Sequence, residues 1–107
     1  MLLMNRPPAL TTEERRAALL KAANHRKVRA QYKEAIRTGS RSWREALESQ
    51  DEAILKMRVK ELLETIPGFG AIRVIGILDR VGISHARRIK GLGANQKLRL
   101  LEELRGR

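Results

Sequence analysis

The sequence predicts an all-α fold, and three observations predict it. Strong helix formers (alanine, leucine, lysine, arginine and glutamate) fill the stretches between glycines and prolines. Apolar residues recur at helical spacing, without the period-two alternation of strands. Capping residues precede these stretches, and glycine or proline follows most of them. At 107 residues the chain is one domain in size.

Residues 1–10 contain Pro7-Pro8 and few core-forming positions, and read as a flexible tail before a single helical domain over 11–107. Thr11 and Glu14 form a capping box that opens a long helix over 12–37, free of glycine and proline. Val28, Tyr32, Ala35 and Ile36 share one side of it. Arg15, Arg26, Arg29, Lys33 and Arg37 form another stripe, readable as a solvated face or as a rail for phosphates. Gly39 ends this helix. Ser42 with Glu45 is a second capping box, opening a short helix through Ser49, with Trp43 as a core plug in its first turn. Asp51 caps a segment around 52–56.

A tighter module covers 59–104. Val59, Leu62, Leu63 and Ile66 make one helical face that stops at Pro67. Pro67-Gly68-Phe69-Gly70 is a tight turn, and a helix over 71–81 follows, with Ile72, Ile75, Ile77 and Leu78 expected inward. Gly82 ends it, and Ser84 is placed to cap a short helix through Ile89. After the Gly91-Leu92-Gly93 turn, a last helix over 95–104 is expected to bury Leu98, Leu101 and Leu104.

Charge narrows the function classes. The chain has 23 Lys and Arg against 12 Asp and Glu, a net charge of +11. The excess is spread along both halves rather than held in one tail. Such charge resists compaction and suits a polyanionic partner; phosphate neutralisation with counterion release drives binding without reading sequence. Tyr32, Trp43 and Phe69 are the only aromatics, too few for a base-stacking platform or for membrane anchors. Absence of cysteine excludes disulfides and a thiol nucleophile. No apolar run is long enough to span a membrane, and the start of the chain is too short in apolar residues for a signal peptide, so a cytoplasmic address is expected.

Two constellations carry the functional reading. The first is helix, Pro67-Gly68-Phe69-Gly70, helix, with Arg73 in the second helix's first turn. It resembles the helix–hairpin–helix element of nucleic-acid-binding proteins. Gly68 and Gly70 let the backbone approach a phosphate, and free N–H groups with the helix dipole point at it. An ordinary helical turn whose glycines only relieve strain is the other reading. The second is Arg87, Arg88 and Lys90 leading into Gly91 and Gly93, then Asn95 and Gln96. Arginine suits two-pronged phosphate contact; Asn95 and Gln96 reach phosphate or sugar, or Asn95 is simply a helix cap. His25 and His85 have no partners at metal-ligand spacing, so neither a metal, a cofactor nor an enzyme activity is expected.

With these residues in view, the stretch 11–104 resembles the actinobacterial integration host factor family. The carriers are Leu10-Thr11 before Glu14-Arg15, Lys56-Met57-Arg58-Val59, Leu62-Leu63-Glu64, Pro67-Gly68-Phe69-Gly70 and Arg87-Arg88-Ile89-Lys90-Gly91-Leu92-Gly93. The resemblance implies a helix–two-turns–helix module and a nucleoid-associated protein that binds and bends double-stranded DNA with little sequence preference. It implies support of chromosome organisation and of site-specific recombination or integration. Carried over by position, the DNA surface falls on Pro67, Gly68, Gly70, Arg73, Arg87, Arg88, Lys90, Gly91 and Gly93. A second DNA-facing surface is also implied; Arg37, Arg41 and Arg44 are assigned to it. Departures are Lys60 at a serine position, Val74 at an alanine position and Ala94 at a capping position. A monomer is expected, with no small-molecule substrate. The alternative is a ribosomal or other structured-RNA protein using the same module.

Overall fold

Thr11 starts the first helix by the reciprocal bonding its sequence encodes. In the computed structural model, which describes residues 9–107, its hydroxyl accepts from the Glu14 N–H at 3.0 Å, and the Glu14 carboxylate accepts from the Thr11 N–H at 3.4 Å. Of the expected tail, residues 1–8 lie outside the described residues, while Ala9 and Leu10 are non-helical and exposed. Helix α1 (Thr12–Arg37) runs 26 residues, about 39 Å at 1.5 Å per residue. Gly39 follows its C-cap in the left-handed region, with φ of +82°. Every residue of α1 before His25 is exposed, so this half extends past the core. Its tether is Lys21, 3.4 Å from Glu52. Farther along, Tyr32 and Ile36 are buried and Val28 packs beside them, on the predicted face. The Tyr32 hydroxyl donates to the Ser42 carbonyl at 2.9 Å; burial, with Glu45 adding, raises its pKa against the pull of Arg41.

Two short helices pack on this end. Helix α2 (Trp43–Leu47) stops before the expected Ser49. Ser42 caps it through the Arg44 N–H, while Glu45 turns away to Arg41 at 3.0 Å, so the expected reciprocal box does not close. Trp43 is 2% exposed, the core plug expected. Helix α3 (Glu52–Leu55) is capped by Asp51.

Helices α4 (Val59–Glu64), α5 (Ala71–Val81) and α6 (Ala94–Glu103) complete the described part, with a 3-10 turn at Ile89–Gly91 before α6. Leu62, Leu63, Val74, Leu78, Ile89 and Leu100 are essentially inaccessible and knit these elements together. No strand forms among the described residues, but Arg58 and Arg88 make an antiparallel bridge: Val59 N–H donates to Arg87 O and Ile89 N–H to Met57 O, both at 2.9 Å.

That bridge explains one departure from expectation. The helix predicted from Ser84 to Ile89 does not form: Arg88 is extended, and the Arg87 carbonyl and the Ile89 N–H bond to Val59 and Met57. Ser84 still accepts from the Ala86 N–H, giving a turn without a helix behind it. A second departure is rotational. On α5 the buried stripe is Val74, Ile77, Leu78 and Val81; Ile72, two residues before Val74, lies about 160° around the helix from it and is 90% exposed. The expected inward Ile75 is half-buried. On α6, Leu100 and Leu104 take the core, so Leu98 points outward at 64% exposure and Leu101 is half-buried. Helix α6 also starts a residue early, with Gly93 rather than Asn95 as its N-cap. Val74 is fully buried within this packing.

Candidate nucleic-acid interface

The α4–α5 pair has two ends, and the predicted site residues divide between them. One end is the turn at 67–70. The other is built by residues 82–93, since the Arg87 carbonyl is bonded to Val59, the first residue of α4. Helix α5, 11 residues and about 16 Å long, runs between the two in sequence. The resemblance assigns Pro67, Gly68, Gly70, Arg73, Arg87, Arg88, Lys90, Gly91 and Gly93 to one DNA surface. Pro67, Gly68, Gly70 and Arg73 belong to the turn before α5 and its first helical turn, and the rest to the segment after α5.

At the first end, Phe69 is 5% exposed and anchors the turn in the core. Gly68 sits at φ +85°, a conformation that side chains resist. Gly70 is the N-cap of α5 at φ −87°, ordinary for any residue, and a Cβ there would meet nothing within 4 Å. Serine, threonine or aspartate would cap the helix better. With glycine, no side chain bonds the first amides of α5, which stay open together with the positive end of the helix dipole. The Arg73 guanidinium lies 4.2 Å above the Phe69 ring, held beside those amides; Arg107 lies over the same ring at 5.6 Å.

The second end carries more charge. Arg29, Lys56, Met57, Arg58, Glu61 and Arg88 line a cleft of about 290 Å³. An adjoining cleft of about 430 Å³ runs along α1 past Arg26, Arg29, Lys33 and Arg37. The shared carboxylate, Glu61, is already paired with Lys33 at 2.7 Å. Arg26, Arg29, Arg58 and Arg88 have no carboxylate within ion-pair distance among the described residues. Arg88 donates to the Lys56 carbonyl at 3.3 Å, and Arg87 to the Gly91 carbonyl at 3.1 Å. A Cβ on Gly91 would stand 3.1 Å from the Arg87 Cδ, so glycine lets the arginine stem lie against the turn. Lys90, Gly93 and Asn95 are exposed.

Other predicted residues are spent within the chain. Gln96 accepts from the Gly93 N–H at 3.1 Å and donates to the Gly82 carbonyl at 3.2 Å, fastening α5 to α6. Arg44 donates to the carbonyls of Leu104 and Arg107 and lies 5.1 Å from the Trp43 ring. Arg41 pairs with Glu45 and covers Tyr32 at 5.2 Å. Arg37, exposed and 3.5 Å from Glu34, is the member of that trio that lines the charged cleft. His85 pairs with Asp79 at 2.7 Å.

Lys56 and Arg58 line the cleft of Arg29 and Arg88 and are not among the residues predicted for the site. The run 56–59 alternates polar and apolar, with Met57 and Val59 buried; this short period-two signal could have revealed the bridge and the cleft. No group of His, Cys, Asp or Glu among the described residues is placed to hold a metal ion, and no described helix is long and apolar enough to cross a membrane.

Comparison with known proteins agrees with this architecture. The S13-like H2TH domain family matches residues 36–104. The integration host factor of Streptomyces coelicolor is 44% identical over 91 residues, covering 83% of this chain and 85% of that protein. Those of Mycolicibacterium smegmatis and Mycobacterium tuberculosis are each 39% identical over 98 residues, covering 90% of this chain and 93% of theirs. A solved structure of sIHF bound to an 8-base-pair palindromic DNA matches with a TM-score of 0.74 at 40% identity, over 78% of this chain and 96% of that one. With an S13-like H2TH module behind a long first helix, and identity of this extent, the chain belongs to the actinobacterial integration host factor family.

Proposed function

We propose that this protein is an architectural component of the nucleoid that binds double-stranded DNA through its phosphates, with little sequence preference, and bends or bridges it. The observation that carries this reading is the uncapped start of α5 at Gly70, beside Arg73, with a second cationic opening at the far end of the same helix pair. Two phosphate seats on different elements of the module give one monomer two points of purchase on a duplex, or one on each of two duplexes. The cleft between α1 and residues 56–58 and 88 takes the place of the second surface assigned to Arg37, Arg41 and Arg44, keeping only Arg37. The protein acts without enzymatic chemistry, on cytoplasmic DNA, in chromosome organisation and site-specific recombination or integration. The ribosomal reading is not favoured, since the relatives are named integration host factors and the matching structure holds DNA.

Anisotropy titrations of unrelated DNA duplexes and a ribosomal RNA fragment, at two salt concentrations, test this. Similar affinity for all duplexes is expected, above that for RNA, with a log–log salt slope of about −4 to −8 if about five to nine phosphates are engaged. Preference for the RNA overturns the proposal.

A further inference from the structure

Ile72 is the most exposed large apolar side chain of the described residues, at 90%, and it stands in the first turn of α5 beside Gly70 and Arg73. Its surroundings extend the anomaly. Ile75 lies partly exposed one turn on, and Gly76 opens the outer face of α5 where an added Cβ would touch only the Arg80 guanidinium at 3.5 Å. The charged residues farther along that face already have side-chain partners. Asp79 pairs with His85 at 2.7 Å and Arg80 with Glu103 at 2.6 Å. Ile72, Ile75 and Gly76 therefore put a small apolar patch directly against the phosphate seat.

We infer that Ile72 packs on the sugar edge of bound DNA and makes the protein prefer deoxyribose to ribose. The inference rests on the DNA reading above and names the part of the nucleic acid that this face recognises. A phosphate seated on the open amides of α5 carries a sugar on each side, and the Ile72 side chain leaves the same helical turn. Deoxyribose offers C–H surface there, which aliphatic contact desolvates favourably. Ribose places a 2′-hydroxyl on the minor-groove side, and burying it against isoleucine without a partner is costly. Continuity with the hairpin, whose open amides and Arg73 lie in the same helical turn, argues for this occupant over a protein partner.

The test measures binding of matched DNA and RNA duplexes to the wild type, Ile72→Ala and Ile72→Thr, with Arg73→Ala as the charge control. Ile72→Ala is expected to weaken DNA binding about tenfold and RNA binding much less. Ile72→Thr, whose hydroxyl offers a partner to the 2′-oxygen, is expected to shrink the DNA-over-RNA ratio further. Arg73→Ala should weaken both and leave the ratio unchanged. Because Ile72 is exposed, melting temperatures of its variants should match the wild type. Wild-type protein that binds DNA but keeps its ratio in both Ile72 variants overturns the inference alone. A wild type with no affinity for DNA overturns the DNA reading and this inference with it. Unchanged binding with altered sedimentation of the free protein assigns the face to a protein contact and also overturns it.

Discussion

Gly70→Asp should make the protein more stable and less able to bind DNA. The backbone at Gly70, φ −87° and ψ 171°, is ordinary for a helix N-cap, and a Cβ would meet nothing within 4 Å. Aspartate can enter without strain and accept from the open amides of α5. Replacing a glycine cap by aspartate gains a few tenths of a kcal/mol, and favourable charge at the dipole brings the total to about 0.5–1 kcal/mol. For a chain of this size that raises Tm by roughly 2–5 °C. Binding moves the other way. The carboxylate fills the place a phosphate needs and repels it, at about 1–4 kcal/mol for charges about 4 Å apart between water-like and surface dielectrics. A loss of about 2 kcal/mol, within that range, is about thirtyfold in affinity. Thermal melts and anisotropy titrations on one preparation read both effects. A variant with higher Tm and undiminished affinity would refute the reasoning, because the α5 N-terminus would then not be a phosphate seat.

Further predictions concern the rest of the molecule. Arg44→Ala should lower stability by about 2 kcal/mol, through its lost charged hydrogen bonds to Leu104 and Arg107, while leaving DNA affinity within about twofold; calorimetry and titration check this. Arg87→Ala with Arg88→Ala should reduce the magnitude of the log–log salt slope by about 2 and weaken unrelated duplexes equally. Gly68→Ala should cost about 1–2 kcal/mol from its φ of +85° alone, read in a denaturant titration. Lys56, with Lys21 in support, lowers the pKa of Glu52 below its ordinary 4.5. Its contribution to stability is therefore present above the ordinary value and lost as pH falls through the depressed one. Glu52→Gln should be less stable than wild type near neutrality, and the two curves should converge in acid.

The parts of the fold set by local chemistry were legible in the sequence. Thr11 and Glu14 mark the start of α1, and the glycines at 39, 68 and 82 stand at positive φ where the turns were expected. Tertiary contacts decided what local patterns could not. Ile72 and Val74 are equally apolar, and only the packing of α5 against α4 and α6 determines which one faces inward. Residues 84–89 hold adequate helix formers, yet backbone pairing of residues 87–89 with residues 57–59, almost thirty positions away, keeps them out of a helix. The candidate site shows the same division. The hairpin was readable because its glycines act locally. The cleft joining Arg29, Arg58 and Arg88 needs three distant segments brought together, and Arg44 reads as a free surface cation until the C-terminal carbonyls are placed beside it.

Amide and arginine side-chain NMR shifts, followed during titration with a short DNA duplex, test the two-ended interface most directly. The account predicts that perturbations gather on residues 68–73 and 87–93 and on the guanidinium groups of Arg29, Arg58 and Arg88, while the Arg44 guanidinium and the outer face of α6 around Leu98 stay unmoved. Shifts confined to the Leu98 face, or centred on Arg41 and Arg44 with a silent hairpin, would contradict it.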